Sequence, residues 1–169
     1  MNIILIGMPG CGKSTVGVLL AKSMLCDFVD TDLIIQNKYK KSLCDIINED
    51  GLTGFTEKEN SVLAELTCDN AVIATGGSAV YCPQGMENLK KNGKVIYLKL
   101  SPQEITKRIK NIKTRGIAMK EGTTIEELYN ERCALYERYA DITIDCEGTT
   151  PEECVNKIME MTKEQLSQR

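Results

Sequence analysis

The sequence predicts an α/β fold, a parallel sheet covered by helices, on three observations. Five short apolar runs recur along the chain, each of strand length. Longer amphipathic segments separate them, as a parallel sheet requires, because each crossover must carry the chain back to the starting edge. The chain has 169 residues, enough for a single domain with a substantial core, and no repeat, linker or low-complexity tract divides it.

The first run, Asn2–Ile6, reads as a buried strand that passes directly into the glycine-rich stretch GMPGCGKS and then into a helix over Lys13–Met24. A second strand is expected over Asp27–Asp30, followed by helices at about Thr31–Tyr39, Leu43–Asn48 and Thr56–Leu66. The third and fourth strands fall at Ala71–Thr75 and Lys94–Leu98, with helices over Gln84–Lys91 and Pro102–Ile112. A helix over Ile125–Tyr139, a strand over Asp141–Ile144 and a helix over Pro151–Leu166 complete the order. Several helix starts are explicit. Ser101-Pro-Gln-Glu104 and Thr124-Ile-Glu-Glu127 read as capping boxes, in which a hydroxyl and a carboxylate satisfy one another's main-chain amides. Thr150-Pro-Glu-Glu153 offers a cap, a proline in the first turn and acids beside the positive helix end. Lys113–Thr123 (KTRGIAMKEGT) is polar and aperiodic, so it reads as a mobile loop, and its place between two helices suits a lid.

Composition narrows the chemistry. The net charge is −3, which gives no overall drive toward nucleic acid or anionic lipid. No apolar run approaches the roughly 20 residues that span a bilayer, and the first residues lack the basic start and cleavage site of a secretory signal. A cytoplasmic location is the expectation. The eight cysteines show no C-x-x-C spacing, and they read as reduced, small hydrophobes rather than a metal site. There is no histidine at all, which excludes Ser-His-Asp and Cys-His catalysis and the H-E-x-x-H zinc site. Chemistry here rests on carboxylates, lysine, arginine, hydroxyls and main-chain amides.

Gly7-Met-Pro-Gly-Cys-Gly-Lys13-Ser14 matches G-x-x-x-x-G-K-[ST] at every fixed position. Glycines let the main chain curl into a nest whose N–H groups face an anion, and the helix that follows adds its own first amides and dipole. Gly10, Cys11, Gly12, Lys13, Ser14 and Thr15 are therefore expected to hold the phosphates of a nucleoside triphosphate, with Lys13 as a point charge and the Ser14 hydroxyl on Mg²⁺. The guanine-reading N-K-x-D is absent, and a domain this small fits phosphate transfer to a small molecule.

Phe28-Val-Asp-Thr-Asp32 ends the second strand, and ligands of doubly wound sheets gather at the carboxyl ends of strands. Two carboxylates two residues apart, Asp30 and Asp32, suit separate tasks: one can orient Mg²⁺ through water while the other accepts the hydrogen of an attacking hydroxyl. Thr75-Gly76-Gly77-Ser78 ends the third strand, where glycines allow a substrate close to the main chain.

Taken together and in order, GMPGCGKST, FVDTD, GFTEKE, ATGG, the arginine-containing lid and ERCALYERYAD resemble the shikimate kinases, P-loop small-molecule kinases of nucleoside-monophosphate-kinase fold. The resemblance spans essentially the whole chain. It implies a three-layer fold with a five-stranded parallel sheet in order 2-3-1-4-5, one domain over residues 1–169, a lid at about 112–123 and acceptor-binding helices at about 31–66. It implies transfer of the γ-phosphoryl group of Mg·ATP to a hydroxyl of shikimate. By the same likeness Asp30 would reach Mg²⁺ through water and Asp32 would act as base. Gly76, Gly77 and Glu59 would line the acceptor site, Arg132 would bind the substrate carboxylate, Arg108 would lie against adenine, and the lid arginine Arg115 would neutralise the transferring group. A monomer with no nucleic-acid or membrane partner is expected.

The chain departs from the family pattern in four places. Thr56 stands where an arginine completes the carboxylate clamp, Leu52 replaces an acid, Ser78 replaces a third glycine, and Gly116 follows Arg115 where proline is usual. Loss of one charge-assisted guanidinium weakens a carboxylate site unless Lys58 or another cation replaces it. Two further readings stay open: a kinase of the same fold for another small hydroxylated acceptor, such as a sugar acid or hydroxy amino acid, and a nucleotide-binding accessory protein without turnover.

Overall fold

The computed structural model describes residues 1–109 and 116–167, those from 163 onward by their main chain alone. Five strands, β1 (Asn2–Ile6), β2 (Asp27–Asp30), β3 (Ala71–Ala74), β4 (Gly93–Lys99) and β5 (Ile142–Asp145), form one parallel sheet in the order β2-β3-β1-β4-β5. This is the order implied by the family resemblance. β1 lies at the centre, with Ile4 opposite Ile73 on one side and Val95 on the other. Its five residues are all buried because helices cover both faces, whereas the edge strand β5 alternates buried and exposed.

The helices are α1 (Lys13–Met24), α2 (Thr31–Tyr39), α3 (Leu43–Glu65), α4 (Pro83–Lys91), α5 (Pro102–Arg108), α6 (Ile125–Tyr139) and α7 (Pro151–Ser167). The expected boundaries of α1, α2 and α6 are met to the residue. The two helices expected at 43–48 and 56–66 meet at a kink within α3, where Gly51 leaves helical geometry with φ of 71° and ψ of −179°. A 3₁₀ turn at Ala79–Tyr81, not foreseen, follows Gly76-Gly77-Ser78. The helix expected to reach Ile112 is described as far as Arg108, and the part of the lid at 112–115 lies outside the described residues.

The caps follow from local chemistry. Thr124 and Glu127 form the reciprocal box, with Glu127 N–H donating to the Thr124 hydroxyl and Thr124 N–H to the Glu127 carboxylate. Thr150 and Glu153 do the same. Only half of the third box forms. Ser101 accepts from Glu104 N–H, but Glu104 turns to Arg108, and Ser101 N–H donates to Glu147 instead. A charged partner within reach outcompetes the neutral main-chain amide.

The main core fills both sides of the sheet. A second, smaller cluster of Ile35, Leu43, Ile46, Phe55 and Val62 joins α2 to α3, with Ala118 packed against it. That cluster gives α2 and α3 a core of their own and sets them beside the carboxyl ends of β2 and β3. None of the eight cysteines, all among the described residues, forms a disulfide. No helix among the described residues is long and apolar enough to cross a membrane.

Candidate active site

A cleft of about 490 Å³ opens at the carboxyl ends of the strands, and it gathers residues from distant parts of the chain. Gly10, Gly12, Lys13, Ser14 and Thr15 line it together with Asp32, Gly76, Gly77, Arg132, Arg108 and Pro151. The glycine loop sits between β1 and α1. No side chain caps α1 at Gly12, so the first-turn amides that line the cleft are left for an anion. Lys13 is 8% exposed, and its ammonium donates to the carbonyls of Gly7 at 2.8 Å and Met8 at 2.9 Å. The positive charge is thus tied back to the loop's own carbonyls. Cys11 takes a different part from its neighbours. Its thiol is buried beneath the loop, 3.7 Å from Lys13 Nζ, and its N–H donates to Met8 O.

Asp30 and Asp32 stand in different surroundings. Asp30 caps α2 by accepting from Asp32 N–H at 3.0 Å, and its other oxygen accepts from the Ser14 hydroxyl at 2.8 Å. A hydroxyl and a carboxylate side by side are hard oxygen donors, the set that suits Mg²⁺, with phosphates and water completing the octahedron. Asp32 points into the cleft. Burial, and then the nearby charge of Asp30, push its carboxyl up to about 6, with Lys13 pulling the other way. A carboxylate held there is a better proton acceptor near neutral pH than an ordinary aspartate.

Gly76 is pinched between two acids. A Cβ added to it would fall 2.6 Å from Glu59 Oε1 and 2.8 Å from Asp32 Oδ1, so any larger residue must push one of these acids aside. Glu59 has no exposure to solvent and lies behind Gly76 rather than on the cleft wall. Ser78 donates to its Oε2 at 2.6 Å and the Cys82 thiol approaches at 3.8 Å, while Oε1 is buried without a hydrogen-bond partner among the described residues. Burial is the main cause that pushes the Glu59 carboxyl up to about 7.

Thr56 also stays off the cleft wall. Its hydroxyl donates to Leu52 O one turn back along α3, at 2.8 Å, which spends its donor inside the helix. Lys58 is no substitute cation, since it pairs with Asp50 at 3.6 Å and lies 4.6 Å over the Tyr39 ring, outside the cleft.

Arg132 is only 1% exposed although it lines the cleft, and the surrounding structure fixes its plane. Its Nη2 donates to Ala118 O, its Nε lies 3.4 Å from the Tyr81 hydroxyl, and the guanidinium sits 5.2 Å over the Tyr81 ring. The Tyr81 hydroxyl donates in turn to Glu131. Nη1 is buried with no partner among the described residues, an unspent donor suited to an anionic ligand. Arg108 Nε donates to Glu104 at 3.1 Å in a partly exposed pair, and Arg108 is among the residues lining the cleft. Arg115 lies outside the described residues.

Sequence reasoning did not single out Tyr81, Phe55, Leu43 or Tyr136. Tyr136 stood four residues after Arg132 in ERCALYERY, the spacing that brings side chains to one helix face, and that signal was available.

A parallel sheet with the phosphate loop after its central strand, and an acid, a lysine and two arginines around one cleft, defines a P-loop phosphotransferase for small molecules. The shikimate kinase profile matches residues 9–163. A shikimate kinase of Thiobacillus denitrificans is 40% identical over 147 residues, 85% of this chain and 80% of its own length. One from Enterococcus faecalis is 36% identical over 166 residues, 96% of this chain and 99% of its own. The structure of Acinetobacter baumannii shikimate kinase in complex with shikimate superposes with a TM-score of 0.89 at 32% identity, covering 97% of this chain and 93% of that one. The chain belongs to the shikimate kinase family.

Proposed function

We propose that this protein transfers the γ-phosphoryl group of ATP to a hydroxyl of shikimate, giving shikimate 3-phosphate and ADP. The observation that carries the reading is the shared cleft, in which Lys13 and Asp32 line one cavity. The family match and the likeness to a shikimate complex support the choice of acceptor.

In this reading the triphosphate lies along Gly10, Gly12, Lys13, Ser14 and Thr15, with adenine at the margin near Arg108. Ser14 and Asp30 hold Mg²⁺, which when bound supplies positive charge to the outer phosphates. Asp32 accepts the hydrogen of the attacking hydroxyl and holds it in line, and Lys13 and Arg115 neutralise charge on the transferring group. The unspent Nη1 of Arg132 receives the acceptor carboxylate. Gly76 and Gly77 let the acceptor approach the main chain, and Glu59 supports that loop from behind. Thr56 contributes no charge, so the clamp rests on Arg132. A monomer in the cytoplasm acting on small molecules completes the reading, and the net charge of −3 gives no drive toward nucleic acid or anionic lipid.

The test is ADP release by the purified protein with Mg·ATP and shikimate, against an acceptor-free control. Shikimate-dependent release is expected. A panel of other hydroxylated acids turned over in preference to shikimate would reassign the acceptor, and saturable ATP binding with no acceptor-dependent release would leave only a nucleotide-binding protein.

A further inference from the structure

Tyr136 belongs to neither half of the site described above, yet it touches both. It lies one helical turn beyond Arg132 on α6 and has no exposure to solvent. Its hydroxyl donates a 2.6 Å hydrogen bond to the main-chain carbonyl of Gly77, on the acceptor side. The same oxygen lies 3.8 Å from Met8 Sδ, in the phosphate loop. The two loops also meet directly, since a Cβ at Gly77 would fall 2.7 Å from Pro9 Cδ. The ring itself cannot wander. It stacks on Tyr97 with centroids 5.1 Å apart and planes at 25°, and Tyr97 sits in β4 opposite Ile6 of the central strand.

We propose that Tyr136 is a positioning residue for phosphoryl transfer, which holds the Gly76-Gly77 loop and the phosphate loop at one fixed separation. The inference rests on the kinase reading given above. Each loop binds its own substrate, so the distance between loops becomes the distance between the acceptor hydroxyl and the γ-phosphorus. In-line transfer depends steeply on that distance, and a misplacement of about 1 Å costs on the order of a hundredfold in rate. Without the phenol oxygen the Gly77 carbonyl loses its partner, and the acceptor loop is free to shift against Pro9. Neither loop loses a contact to its own ligand. The signature is therefore a loss of rate with binding preserved.

Tyr136→Phe tests this, because it removes one oxygen and keeps the ring on Tyr97. Initial rates of ADP release with Mg·ATP and shikimate are compared between the wild-type chain and the variant, together with thermal melts. The expected result is a kcat lower by about tenfold or more, with KM for ATP and KM for shikimate each within about twofold of wild type and a Tm lower by no more than a few degrees. A kcat within about twofold of wild type overturns the proposal. So does a rate loss matched by a rise in either KM, or a variant that fails to fold, since both mark the residue as structural. A wild-type chain with no shikimate-dependent turnover is a separate result: it removes the kinase reading itself, and the proposal with it.

Discussion

The Ser78 hydroxyl donates a 2.6 Å hydrogen bond to Glu59 Oε2, and both side chains are buried. A carboxyl enclosed between Gly76 and the 3₁₀ turn is thus held by a hydroxyl and a thiol rather than by a guanidinium. Two of the four departures from the family pattern, Ser78 and Thr56, bear on the same acid. Ser78 serves Glu59 directly, and Thr56 lies three residues before it on α3.

Removal of the hydroxyl in Ser78→Ala leaves Glu59 with the weak thiol donor. The expected cost is about 1–3 kcal/mol, the penalty for an unsatisfied buried acceptor, read as a Tm lower by several degrees. Thr56→Arg places a guanidinium on the i, i+3 neighbour of Glu59 and is expected to recover part of that loss. Thermal melts of the two single variants and the double variant measure the coupling. Strict additivity would show that the two positions do not meet at Glu59.

Glu59 also sets a pH dependence. Its carboxyl rises from an ordinary 4.5 to about 7, chiefly through burial and in part through the charge of Asp32. The folded protein therefore keeps a proton there that the unfolded chain has released. The resulting stability is fully present below pH 4.5 and is lost as pH climbs through about 7. Asp32 acts in the same direction over a lower range, from 3.8 to about 6. Melts of the ligand-free protein are expected to give a higher Tm at pH 5.5 than at pH 8. Glu59→Gln is expected to shrink that difference, and an unchanged difference would take Glu59 out of the account.

In the proposed reaction, Asp32 and Lys13 separate chemistry from binding. Asp32→Asn keeps the shape but removes the proton acceptor, so kcat is expected to fall about a hundredfold or more with ATP affinity within about twofold. Lys13→Ala removes the charge beside the phosphates, and ATP affinity is expected to drop about tenfold or more. Steady-state rates and calorimetric titration with a non-hydrolysable analogue check both.

Gly116 explains why proline is absent after Arg115. Its φ is +63°, which proline cannot adopt, and a Cβ there would fall 2.7 Å from Leu43 Cβ and 2.8 Å from Cys44 N. Gly116→Ala and Gly116→Pro are both expected to lower Tm, proline more. Two residues on, Ala118 O accepts from Arg132, so displacement of this segment is expected to raise KM for the acceptor more than KM for ATP. Equal effects on both constants would dissociate Gly116 from the Arg132 end.

The nucleotide half was legible in the sequence because it is local. GMPGCGKST carries its glycines, lysine and hydroxyl within nine consecutive residues, and the strand and helix on either side have their own signals of burial and periodicity. The sheet order followed from family likeness, and the boundaries of β1, α1 and α6 from apolar runs and caps. The two helices of α3 were legible as well, but the gap expected between them closes to a kink at Gly51, with Ile46, Phe55 and Val62 on either side of it packed in one cluster.

What the residues determined alone was the kind of chemistry available: phosphate contacts from main-chain amides, a carboxylate base and no histidine. What only the folded chain decided was which side chains face the cleft. Thr56 turns its hydroxyl into its own helix, Glu59 withdraws behind Gly76, and Tyr136 comes from 59 positions away to hold Gly77. The physical reason is that burial and partner choice are settled among groups far apart in sequence, whose distances exist only once the sheet and its helices have packed.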